Sequence, residues 1–256
     1  MTITPLIAEN RKRLEPELAS INDTWSDLVD LLEWIMAKKT FPPKKERDWS
    51  QVIIWGETDG LLGLENVKES LLRYNNATLL ISGGVYGREG VINDVGAVDL
   101  YKGLEKELLA MGWKADDIKR RVLIDSLSLH TGHQGLILSH VLKALSPEDV
   151  FVVEPLYHLP RFLLMLGYAM QELKLRPNLI PMAYGEWESL HPAKASKENP
   201  ERKFKYEELF AFPPTRSLFE DKFDCGEVDK IIQRVKAQNK NCLSFKEFAN
   251  WANIQS

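Results

Sequence analysis

An α/β protein with a mostly parallel sheet and helices on both faces is the fold class this sequence predicts, and three observations predict it. Short apolar runs at residues 51–55, 78–81, 121–124 and 150–153, with a weaker fifth at 178–182, have the length and composition of buried strands. Between them, residues 61–74, 98–111, 131–145 and 160–175 are long and periodic enough for crossover helices. The two patterns take strict turns, as parallel strands require, because each must be reached by a crossover connection.

The elements outside that alternation divide the chain into three. Residues 1–47 read as an N-terminal helical segment. From 24 to 38 the apolar side chains Trp25, Leu28, Val29, Leu32, Ile35 and Met36 form a one-sided stripe at helical spacing. Pro42 and Pro43, followed by Lys44, Lys45, Glu46 and Arg47, end that helix, since proline lacks an amide donor and restricts its predecessor. Residues 48–188 hold the α/β core. Residues 189–256 form a linker and a C-terminal helical cap. Positions 189–205 are polar and rich in Pro, Lys, Glu, Ser and Asn; an aromatic cluster runs from Phe204 to Phe212; helical stretches come after it near 227–238 and 244–252.

Composition narrows the function. With 256 residues, 44% hydrophobic and 27% charged, the chain is long enough for a sizeable core, which excludes a wholly disordered or coiled-coil protein. Thirty-three basic against 37 acidic side chains leave a net charge of -4, so no nucleic-acid partner is expected. Cys225 and Cys242 make neither a disulfide framework nor a metal or redox pair, which favours a reducing compartment. No apolar run is long enough to span a bilayer, and residues 1–17 contain no signal-peptide core; no membrane partner and a cytoplasmic location are expected.

In an open parallel sheet, ligands meet the loops at the carboxyl ends of the strands, so the residues just past each strand are the place to look for chemistry. Gly56 and Glu57 come after the first. Ser82, Gly83 and Gly84 come after the second, and five of the chain's 15 glycines fall between positions 83 and 96, a loop able to bring amides close to a ligand. No GxxxxGK[ST] or GxGxxG occurs, which disfavours a P-loop and a standard dinucleotide site. After the third strand come Asp125, Ser128, His130, Thr131, His133 and Gln134. Thr131 and Gln134 have capping-box spacing, so Thr131 is expected to open the helix with Gln134 reaching back. The histidines 130, 133 and 140 lack partners at a familiar zinc spacing, so no metal is expected. His140, on a face with Ile137 and Val141, is expected in the core.

After the fourth strand, Glu154-Pro155-Leu156-Tyr157-His158-Leu159-Pro160-Arg161 puts a proline at a helix start and an arginine in its first turn, where its charge opposes the helix dipole. An anion should compensate: either a protein carboxylate such as Glu57, Asp59 or Asp125, or a ligand. His158 is the candidate general acid and base in the same mouth.

Over about residues 51–182 these motifs resemble domain of unknown function 218, the YdcF/SanA/ElyC-like family. Ser82, Gly83, Gly84, Ser128, Thr131, Tyr157, His158 and Arg161 match its pattern outright. The chain departs from it at His133 and Gln134, in the Glu154-Pro155 pair that stands where Thr-Ser is common, and at Leu100, which stands beside Asp99 where the family has a glutamate. The resemblance implies a Rossmann-like fold and makes S-adenosylmethionine a candidate cofactor. The expectation is a protein that binds an anionic small molecule, S-adenosyl or nucleotide-like, at the carboxyl edge of the sheet through Gly56, Glu57, Ser82, Gly83, Gly84, Asp125, Ser128, Thr131, Tyr157, His158 and Arg161. A phosphate-directed hydrolase or transferase and a non-catalytic interaction protein are the alternatives.

Overall fold

The computed structural model describes residues 6–37, 51–56, 63–74, 76–84, 96–155, 158–184, 227–237 and 240–254. Five strands, β1 (Gln51–Gly56), β2 (Thr78–Ser82), β3 (Val122–Asp125), β4 (Asp149–Pro155) and β5 (Asn178–Tyr184), form one sheet in the order β3-β2-β1-β4-β5. Every neighbouring pair is parallel. The chain builds outward from β1 through β2 to β3, then returns to lay β4 on the other side of β1. The order therefore reverses between β1 and β4, the position at which a doubly wound sheet opens a crevice.

Continuous apolar runs make these strands because both faces are covered. On one face Ile53, Trp55, Leu79, Ile81, Phe151 and Val153 pack with Val67, Leu71, Leu100, Leu104 and Leu108 from α3 (Leu64–Arg73) and α4 (Ala97–Ala110). On the other, Val52, Ile54, Leu80, Val150 and Val152 pack beneath α6 (Thr131–Leu145) and α7 (Leu159–Glu172). A short α5 (Ala115–Arg121), which the sequence pattern did not announce, precedes β3; its Arg121 guanidinium closes the end of α3 by donating to the carbonyls of Tyr74 and Ala77.

The second face carries an extra layer. Two N-terminal helices, α1 (Leu6–Ala19) and α2 (Trp25–Ala37), and two C-terminal helices, α8 (Glu227–Lys236) and α9 (Phe245–Ala252), share a core with α7. Of the N-terminal pair only the stripe of α2 was legible as an amphipathic helix, since α1 has a proline inside it and is weakly amphipathic; the stretches near 227–238 and 244–252 became α8 and α9. α7 is consequently buried nearly all round, from Phe162 and Leu163 to Met165, Leu166 and Met170. Two glycines allow the close approaches: a Cβ on Gly135 would meet the Met165 backbone at 3.2 Å, and one on Gly167 the ring of Phe248 at 3.0 Å. No helix among the described residues is long and apolar enough to cross a membrane. The proline-rich stop at 42–43, the linker and the aromatic cluster at 204–212 lie outside the described residues.

One buried carboxylate ties the two ends of the chain together. Asp23, in the turn between α1 and α2, accepts from the Ser244 hydroxyl at 2.7 Å and from the amides of Phe245 and Lys246 at 2.8 and 3.2 Å. These amides belong to the first turn of α9, where helical partners do not exist. Asp23→Ala leaves the buried Phe245 amide and Ser244 hydroxyl without this acceptor, and we expect a loss of about 1–3 kcal/mol in urea unfolding. Hydrogen exchange should accelerate first in α9; unchanged exchange there would refute the assignment.

Candidate functional site

The strand-borne candidate residues share a single rung at the carboxyl end of the sheet. Asp125 lies opposite Ser82, Ser82 opposite Gly56, and Glu154 opposite Ala183. Because Trp55 is opposite Val153, Gly56 falls beside Glu154. All point to the α6 and α7 side, since alternate residues of a strand share a face. Gly56 has a steric role there: a Cβ would stand 1.4 Å from Glu154 Oε1, so only glycine leaves room for the carboxylate to fold over β1.

From Glu154 a chain of polar contacts runs outward. Glu154 Oε2 lies 3.1 Å from His158 Nδ1, and His158 Nε2 lies 3.2 Å from Thr131 Oγ1. An ionised carboxylate can only accept, so Nδ1 donates; in a neutral ring Nε2 then accepts from the threonine hydroxyl. Arg161, which can only donate, gives Nη1–H to the same threonine oxygen at 3.0 Å and Nε–H to Glu227 Oε2. Lys230 donates to the other oxygen of Glu227 at 2.6 Å. Glu154, His158 and Thr131 are 0%, 2% and 7% exposed, so nearly all of this chain is shielded from bulk water.

A second cluster sits toward β3. Asp125 accepts from the Ser82 hydroxyl at 2.6 Å, from the Ser128 hydroxyl, and from the amides of Leu127 and Ser128 at 3.0 and 3.2 Å. The Gln134 side chain donates to the Ser82 carbonyl at 3.0 Å. Gly83 donates its amide to Asp125 and accepts from Ala97 at the start of α4. A Cβ on Gly84 would stand 2.2 Å from the Ser128 carbonyl. These residues fasten the β2 and β3 ends to α6 and α4.

The structure thus brings Gly56, Ser82, Gly83, Gly84, Asp125, Ser128, Thr131, His158 and Arg161 to the same edge, while Glu57, Asp59, Tyr157 and the loop at 85–95 lie outside the described residues. Three expectations are corrected. His130, rather than Thr131, caps α6, its Nδ1 accepting from the amides of Gly132 and His133. Thr131 and Gln134 have no capping box because their side chains are drawn to His158, Arg161 and Ser82. His140 is exposed, because the buried face of α6 runs through Gln134, Leu138, Ser139 and Leu142. Among the described residues the carboxylate facing Arg161 is Glu227 of α8, which spacing could not reveal across a separation of 66 positions. Glu154 was also missed as a site residue; its signal was the four-residue interval to His158 across the end of a strand. Among the described residues no group of three His, Cys, Asp or Glu side chains is placed to hold a metal ion.

Comparison with protein-family models and with curated proteins finds no match to this chain.

Burial by itself would raise the Glu227 carboxyl, but the charges of Arg161 and Lys230 outweigh it and hold the group well below its ordinary 4.5. A depressed folded-state pKa means that the ion pair contributes fully above about pH 4.5 and is lost as pH falls further, because the unfolded chain then takes up a proton that the fold refuses. Glu227→Gln should therefore cost about 3–5 kcal/mol near neutral pH, the penalty for stranding a buried charge. Urea unfolding in an acid series should show that difference narrowing below about pH 4.5. A difference that stays constant with pH would contradict the role given to the carboxylate.

Proposed function

We propose that the protein binds an anionic small molecule at the carboxyl end of the sheet, with nucleotide-like and S-adenosyl compounds as the candidate class. One observation carries this reading: the Arg161 guanidinium and the Thr131 hydroxyl meet at 3.0 Å in the first turns of two neighbouring helices, beside the reversal of strand order. Partial positive charge at both helix starts favours an anion, and the guanidinium adds a full charge and a planar donor set. The strand-order reversal is where such folds receive ligands.

Among the described residues, Glu227 is an anion already paired with Arg161. An incoming phosphate or carboxylate has to compete with it, and Glu227 is carried by the C-terminal helix α8. That favours a second component to the reading, in which occupancy of the site is felt by the tail. The requirement for exchange also explains how a guanidinium can be both neutralised at rest and available to a ligand.

Thermal-shift titration with S-adenosyl compounds, nucleotides and sugar phosphates tests the proposal. A ligand at a hundred times its Kd stabilises by about 2.7 kcal/mol, a rise in Tm of about 5–10 °C for a chain of this size. The response should be larger in Glu227→Gln, where the competitor is gone, and absent in the charge-balanced pair Arg161→Met with Glu227→Gln. Silence of all three proteins toward every compound, or an undiminished response in the double variant, would overturn the reading.

A further inference from the structure

The polar chain beneath the anion site does more than hold two helices together. α6 and α7 are already locked by the close approach at Gly135, and Arg161 already bridges to Thr131. Yet a fully buried carboxylate, admitted only because position 56 has no side chain, is aimed at the far nitrogen of the histidine that faces Thr131. Glu154 fixes the ring and its tautomer. His158 Nε2 then sits 3.2 Å from the threonine hydroxyl as a base for its proton, while Arg161 lies 3.0 Å from the same oxygen as a fixed cation. A base on the proton, a third group orienting that base, and a cation on the oxygen are the conditions that turn an alcohol into a nucleophile. Thr131 is also the first residue of α6, where the helix dipole favours developing negative charge.

We propose that Thr131 is the nucleophile of a phosphate-ester hydrolysis, with His158 as its acid and base and Glu154 as the positioning residue. This rests on the anion-binding reading of the same site, because the phosphoryl group must lie against Arg161. In the first step the Thr131 oxygen forms a bond to phosphorus as its proton passes to His158 Nε2. The bond from phosphorus to the leaving oxygen breaks, and that oxygen departs as an alcohol with the proton from His158. In the second step water gives a proton to His158 and attacks phosphorus; the bond to Thr131 breaks, and the threonine oxygen recovers the proton. The sum is ester plus water giving phosphate plus alcohol, with no redox change.

The test uses the full chain and p-nitrophenyl phosphate. Nitrophenolate release is followed by absorbance, intact and peptide mass spectrometry search for a phosphoryl group on Thr131, and thermal shift reports binding of the same probe and of inorganic phosphate. Turnover with a phosphorylated Thr131 peptide is expected. Thr131→Ser should keep the adduct. Thr131→Val and His158→Gln should lose turnover by about a hundredfold to ten-thousandfold, a range typical of removing acid-base help and far more than they weaken the phosphate-induced thermal shift that Arg161 carries. Glu154→Gln should lower the rate and move the acid limb of the pH profile without abolishing binding, which a merely structural carboxylate would not do. A thermal shift without turnover or adduct overturns this inference and leaves the binding reading standing. Turnover undiminished in folded Thr131→Val, with no adduct at that position, overturns it as well. No thermal shift with any phosphate probe removes the binding reading for phosphates and this inference together.

Discussion

A guanidinium in the first turn of a helix faces partial positive charge from the helix itself, and in α7 it is also largely removed from water. Such a group persists only if anions and acceptors are supplied around it. Arg161 receives them from two of its neighbours, Thr131 from α6 and Glu227 from α8, while the ammonium of Lys230 holds the far oxygen of that carboxylate. The apolar face of Val228, Ile231 and Ile232 drives α8 onto the core, and this charge selects how it sits there. The same guanidinium orients the threonine that meets His158, so architecture and site share one interaction.

That dependence explains why the second face of the sheet is thicker than the first. α7 carries Arg161 at its start and apolar side chains on nearly every side, so it must be enclosed. The N-terminal pair α1 and α2 and the C-terminal pair α8 and α9 enclose it, and Asp23 joins the two pairs by capping α9 from the turn between α1 and α2. Burying two to four large apolar side chains per helix, at about 1.5–3 kcal/mol each, supplies the drive. The buried polar contacts contribute little net energy but select one arrangement of the helices around the site, a role that such networks can take.

Much of the architecture was legible in the sequence because it rests on periodicity. The five apolar runs became the five strands, with ends extended by polar residues such as Asp149 and Ser82 whose backbone continues the ladder. The crossover helices were legible from their spacing. The convergence of Ser82, Asp125, Thr131, His158 and Arg161 was legible too, because carboxyl ends of parallel strands meet at one edge. What was not legible depends on side-chain direction and on distant partners. Thr131 and Gln134 have the spacing of a capping box, yet His130 outcompetes them for the amides of α6, and tertiary acceptors take the other two side chains. His140 lies three positions from Ile137 but just off the buried arc. Glu227 joins Arg161 from a helix beyond a long polar stretch, and nothing local marks it. Glu154 looked like a substitution in a motif, and only the register with Gly56 shows what its carboxylate reaches.

Site and chemistry alike depend on the direction of the hydrogen bonds through His158, from the threonine hydroxyl into Nε2 and from Nδ1–H into Glu154. Long-range proton–nitrogen correlation NMR of the imidazole, assigned with a His158→Gln control, reads that direction without a substrate. The expected result for the neutral ring is a proton on Nδ1, with Nε2 shifted as an acceptor. A neutral ring protonated on Nε2 would contradict it, because His158 would then donate to Thr131 and could not serve as its base.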